Sequence, residues 1–81
     1  PVPNLIVGEK YQISENGDLI NVRASPTIES ERINQLRSGE IITILDGPVD
    51  GDDFYWWKVQ LPDGTVGWIV EVSGWYIHQN E

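Results

Sequence analysis

Short runs in which apolar residues take every second place, set apart by clusters of glycine, proline, asparagine and aspartate, make up most of this 81-residue chain. A period of two is the signature of a strand with one face buried. Residues 5–7 and 11–14 read as short first strands broken at Gly8, and Asn16 with Gly17 is the clearest hairpin signal that follows. Strand character resumes over 19–23, with Ile20 and Val22 on one face and Asn21 and Arg23 on the other. Residues 24–32 hold Pro26 and small or charged side chains without a helical apolar stripe, which predicts a long irregular loop.

A short strand is expected over 33–36, and a β-branched run over 41–45 should turn Ile42 and Ile44 inward. Residues 46–53, with two glycines, a proline and four aspartates, predict a surface turn rather than any regular element. The strand after it, 54–61, carries four of the eight aromatic rings of the chain. A tight turn over 62–65 leads into 66–70, where Gly67 permits close backbone approach. After Ser73 and Gly74 a last apolar segment, 75–77, precedes a polar end. Val59 should anchor a core with Ile20, Val22, Leu36, Ile42, Ile44 and Ile69.

Close spacing of short strands with no helix predicts an all-β fold: a small barrel of five to seven antiparallel strands, with its long irregular loop after Asn21-Val22-Arg23. The expected layout is a linker over 1–4, the barrel over 5–77 and a polar tail over 78–81. Because the chain begins at Pro1 rather than methionine, it is read as part of a longer polypeptide.

Composition narrows the function classes. Thirteen acidic against five basic residues give a net charge of −8, which repels phosphate backbones, so neither nucleic acid nor an anionic membrane surface is an expected partner. No apolar run approaches the ~20 residues of a membrane span. The absence of cysteine removes disulfides, thiolate metal sites and cysteine nucleophiles. With a single histidine near the end, no nucleophile and base pair up. Paired carboxylates remain arithmetically available, but glycoside hydrolysis needs a deep cleft for which so short a barrel hardly has room. No enzyme activity is expected.

Three stretches in fixed order resemble the bacterial Src homology 3 (SH3b) family: Ile20-Asn21-Val22-Arg23 with Pro26; Leu36-x-x-Gly39-Glu40-x-Ile42-x-Ile44-Leu45; and Trp56-x-Lys58-Val59 with Gly64-x-x-Gly67-Trp68-Ile69. The 39–45 stretch and Trp56-Trp57-Lys58 are also similar to eukaryotic SH3 domains. The resemblance implies an SH3-like barrel and an extracytoplasmic binding role, with peptidoglycan peptides among the ligands of several members. In the eukaryotic relatives the first tryptophan of the pair lines the ligand groove, a role the resemblance carries to Trp56. Val70-Glu71-Val72-Ser73 stands where a proline and a tyrosine would hold a polyproline helix, so a proline-rich ligand is not expected.

Trp56 and Trp57 are adjacent, so an extended strand sends them to opposite faces and at most one should join the core. Two readings are open for Trp56: it covers a barrel edge, or it stacks on a ligand. Tyr55 is the second aromatic candidate, while Trp68 and Trp75 read as cover for the barrel. Asp50, Asp52 and Asp53 around Gly51 superficially suggest calcium, but Leu61 stands where the bidentate glutamate of a helix-flanked calcium loop belongs. A solvated acidic loop is expected, with no metal and no cofactor. Beside Trp56 such a loop favours a cationic group, for example a stem-peptide lysine amine or a peptide amino terminus. Arg23 either takes a carboxylate bidentately or forms a weak surface pair with a neighbouring acid. His78 is expected in the polar tail.

The expectation is a monomeric, non-catalytic module that binds a cell-wall peptide or glycopeptide in a shallow groove formed by Trp56, Tyr55, Asp50, Asp52, Asp53 and Arg23. The competing expectation is a module that packs against another, catalytic domain of its parent protein.

Overall fold

The computed structural model describes residues 4–79, and the ends of the expected linker and tail, residues 1–3 and 80–81, lie outside them. Seven strands form one antiparallel sheet: β1 Lys10–Ile13, β2 Ile20–Arg23, β3 Arg32–Leu36, β4 Ile41–Gly51, β5 Phe54–Gln60, β6 Val66–Val70 and β7 Tyr76–His78. Their order across the sheet is β3-β2-β6-β5-β4-β1-β7. Leu36 from one flank and Tyr11 and Ile13 from near the other belong to the same buried cluster, so the sheet coils around a single core in the manner of an SH3-like barrel. Every residue expected to anchor that core, from Ile20 and Val22 to Val59 and Ile69, is buried.

Alternation explains each inward set. Ile44 in β4 pairs with Val59 in β5 while Ile42 pairs with Tyr11 in β1, and the register runs on from Val59 to Gly67 in β6. A Cβ on Gly67 would lie 2.5 Å from Val22 Cγ1 and 3.0 Å from the Arg23 carbonyl, so only glycine lets β6 approach β2 this closely.

Four local expectations are overturned. Residues 5–7 form no strand; Leu5 drops into the core while Ile6 and Val7 stay exposed. Asn16 and Gly17 lie in a 3₁₀ turn, Glu15–Gly17, capped by the Ser14 side chain accepting from the Asn16 N–H. Gly17 sits in tight quarters there, since a Cβ would meet Ile20 at 3.0 Å and Ile13 at 3.1 Å and those side chains would have to shift slightly. His78 belongs to β7, opposite Tyr11, rather than to a tail. The residues expected as an acidic surface turn instead continue β4 as far as Gly51, with register shifts around Asp46 that let the ribbon twist. The reversal itself takes only Asp52 and Asp53, at φ 52° and 67°, and aspartate tolerates this left-handed geometry, which suits a two-residue hairpin turn.

The same ribbon decides the fate of the tryptophan pair. The two rings do point to opposite faces: Trp57 joins the core cluster and Trp56 does not. Both are nevertheless buried, at 1% exposure for Trp56 and 2% for Trp57. The outer face is covered because the loop after β2 folds down onto the end of β4. A Cβ on Gly51 would lie 2.6 Å from the Pro26 carbonyl and 3.1 Å from Trp56 Nε1, and that indole donates to the Gly51 carbonyl at 2.8 Å. Alternation along a strand fixes direction, but only the fold of distant segments fixes exposure.

Candidate binding site

Phe54 opens β5 immediately after the two-residue turn and stays 41% exposed. It divides two grooves. The first, about 530 Å³, is lined by Asp50, Asp53, Phe54, Tyr55, Glu71 and Ser73, with Asn4 and Gly51 completing it. The second, about 210 Å³, lies on the other side and includes Leu19, Arg23, Ile28, Phe54, Trp56 and Trp75 in its lining.

Cross-strand register builds the first groove. Asp50 pairs with Tyr55, and the Glu71 N–H donates to the Tyr55 carbonyl just beyond the last β5–β6 partners. Two aromatic rings are thereby placed among three carboxylates, and none of the described residues lining the groove is basic. Glu71 is fixed at both oxygens: Trp57 Nε1 donates to Oε1 at 2.8 Å and the Asn4 N–H donates to Oε2 at 2.9 Å. Its charge reaches inward as well. Burial pushes the Tyr76 hydroxyl far above the ordinary phenol range, and the Glu71 carboxylate adds to that shift. Tyr76 donates this proton to the Val70 carbonyl. Tyr11 is also raised, mainly by burial.

Of the residues singled out in the sequence, Tyr55, Asp50 and Asp53 converge on this groove. Asp52 does not line it; its carboxylate accepts from the Ile28 N–H at 2.8 Å and ties the turn to the loop after β2. Trp56 and Arg23 belong to the second groove, and the Trp56 ring there is almost wholly covered. The expectation of one groove lined by all six residues is corrected to two, because Tyr55 and Trp56 point to opposite faces. Arg23 Nη1 donates to the Ser30 carbonyl at 2.9 Å.

Phe54 and Glu71 were missed by sequence reasoning. An aromatic residue flanking an Asp-Asp turn was the available signal for Phe54. Glu71 carries no local signal, since only the register of β5 against β6 brings it beside Tyr55. Among the described residues no group of three or more histidine, aspartate or glutamate side chains is arranged to hold a metal ion. His78 Nε2 lies 2.9 Å from Glu9 Oε1 with its ring 5.0 Å from that of Tyr11, away from both grooves.

A coiled all-β sheet with open aromatic grooves is the form of a small binding module. The bacterial SH3 domain family matches residues 11–78, and the chain belongs to that family. It is also 35% identical over 60 residues to the teichoic acids export ATP-binding protein TagH of Bacillus cereus. That similarity covers 73% of this chain but 11% of the relative, so the chain spans about a tenth of the length of the curated protein it matches. No solved structure matches.

Proposed function

We propose that the domain is a non-catalytic module that recognises a peptide or glycopeptide carrying a cationic group, with bacterial cell-wall peptidoglycan as the first ligand to test. One observation carries this reading: Tyr55 and Phe54 stand among Asp50, Asp53 and Glu71 in an open groove of about 530 Å³, with no cation among its described lining residues. Aromatic faces and carboxylates together attract an ammonium group, the rings through their negative faces and the acids through charge. A shallow site of this kind gives micromolar or weaker binding, because a small interface must first offset the entropy of association. A relative named for teichoic acid export agrees with a role at the cell envelope, and an extracytoplasmic position is the one we infer.

The test is co-sedimentation with purified peptidoglycan, comparing the natural chain with Tyr55→Ala and Asp50→Asn. Retention of the natural chain and loss with both variants is expected. Failure of the natural chain to sediment overturns the cell-wall assignment, and equal sedimentation of all three overturns the groove assignment.

A second reading has its own support. The matched stretch occupies 11% of its relative, so a similar sequence occurs inside a much longer protein, where a groove can be covered by a neighbouring domain. In that case Phe54 and Tyr55 of the parent protein resist surface labelling that they accept in the isolated domain.

A further inference from the structure

The second groove plays no part in the reading above, yet it has the marks of a built site. Leu19, at 47% exposure, and Ile28, at 52%, stand at its walls with Phe54 and Trp75. Leu19 holds φ 62°, a left-handed conformation that leucine adopts only where its surroundings impose it. Arg23 is the single charged side chain among the described lining residues. The domain has thirteen acidic side chains, yet among the described residues only His78 and Glu9 lie within ion-pair distance, and no carboxylate neutralises Arg23. The bond from Nη1 to the Ser30 carbonyl holds the guanidinium in place and leaves its other N–H groups for a second acceptor. A positioned arginine beside apolar walls is suited to a carboxylate, which its planar fork can grip through two bonds.

Size and charge narrow the occupant. A volume of about 210 Å³ is below that of a small-molecule pocket and fits one end of a chain. A free acid alone would be repelled by a net charge of −8, whereas a molecule that also carries an ammonium group gains from the acidic groove next door. Phe54 lines both grooves, so the two meet at one ring, and an extended tripeptide reaches about 10 Å.

We infer that the second groove takes the carboxyl-terminal residue of a peptide, its small apolar side chain against Leu19, Ile28 and Trp75 and its free carboxylate on Arg23, while a basic group of the same peptide occupies the acidic groove across Phe54. This rests on the acidic groove being a cation site.

The probes are the tripeptide Lys-Ala-Ala with a free carboxylate and the same peptide as its carboxy-terminal amide, each titrated into the full chain and followed by backbone amide chemical shifts. The free acid should bind roughly tenfold more tightly, the effect of one charge-assisted hydrogen-bonded pair. Arg23→Gln should abolish the difference and Arg23→Lys should restore part of it. Amidation leaves the protein untouched, so the comparison does not depend on how well a variant folds. Equal binding of acid and amide, or preference for the amide, overturns the inference; where Asp50→Asn still weakens both, the cation reading stands. No shifts around either groove at millimolar peptide overturn both.

Discussion

The indole N–H of Trp57, in the core, donates to Oε1 of Glu71, on the wall of the acidic groove, at 2.8 Å. One carboxylate therefore serves two roles, accepting the only polar atom of a buried ring and contributing charge to the surface that faces a ligand. Glu71→Ala leaves the indole donor, on a residue only 2% exposed, without its partner, which costs about 1–3 kcal/mol. Glu71→Gln keeps an acceptor and removes the charge. Urea denaturation should therefore place Glu71→Ala well below Glu71→Gln in stability, while both lose affinity for a cationic peptide. Equal stability of the two variants would show that the indole bond contributes nothing.

Alkaline pH tests Tyr76. Its phenol is raised far above the unfolded value of about 10 by burial, with Glu71 adding to the effect. The folded state thus keeps a proton that the unfolded state releases. That contribution is fully present below pH ~10 and is lost as pH rises above it, at about 1.4 kcal/mol per pH unit for each such group. Tyr11, also raised, adds a second contribution of the same sign. Tyr76→Phe loses the bond to the Val70 carbonyl and about 1 kcal/mol at neutral pH, but should decline less steeply above pH 10. Parallel stability curves for the two chains between pH 9 and 12 would contradict this.

The fold was legible because period-two alternation with turn residues between runs leaves few choices, and the inward sets of β2, β4 and β6 followed from it directly. What stayed hidden depended on contacts distant in sequence. Alternation sends Trp56 and Trp57 to opposite faces, but nothing local reveals that the loop carrying Pro26 folds onto Gly51 and closes over the indole. Asn16-Gly17 has hairpin chemistry, yet it lies in a 3₁₀ turn where the close approach of Ile13, Ile20 and Trp75 favours a small residue. Asp50, Asp53 and Tyr55 could be named from composition and aromatic content, whereas Glu71 depended on strand register.

Burial separates Trp56 from the groove residues experimentally. Trp56→Ala removes a ring that is 1% exposed and should cost about 3–5 kcal/mol, so its loss of binding would report unfolding. Asp50→Asn, at an exposed position, should change stability by about 0.5 kcal/mol or less while weakening a cationic ligand. Thermal melting alongside ligand titration distinguishes the two. A Trp56→Ala domain that melts like the natural one would restore Trp56 as a surface contact.

Gly51 offers the sharpest check on how the second groove is closed. Its φ lies outside the left-handed region, so alanine is acceptable to the backbone there and any penalty arises from space alone. The added methyl would press on the Pro26 carbonyl at 2.6 Å and on the Trp56 indole at 3.1 Å. Neither neighbour is a flexible chain end, so the loop after β2 must lift away. The expected cost is about 1–3 kcal/mol. As the loop lifts, the Trp56 ring gains solvent, and the tryptophan emission of the folded variant should move to longer wavelength. A Gly51→Ala chain with unchanged stability and emission would mean that the loop does not rest on the ribbon, and that Trp56 is covered by something else.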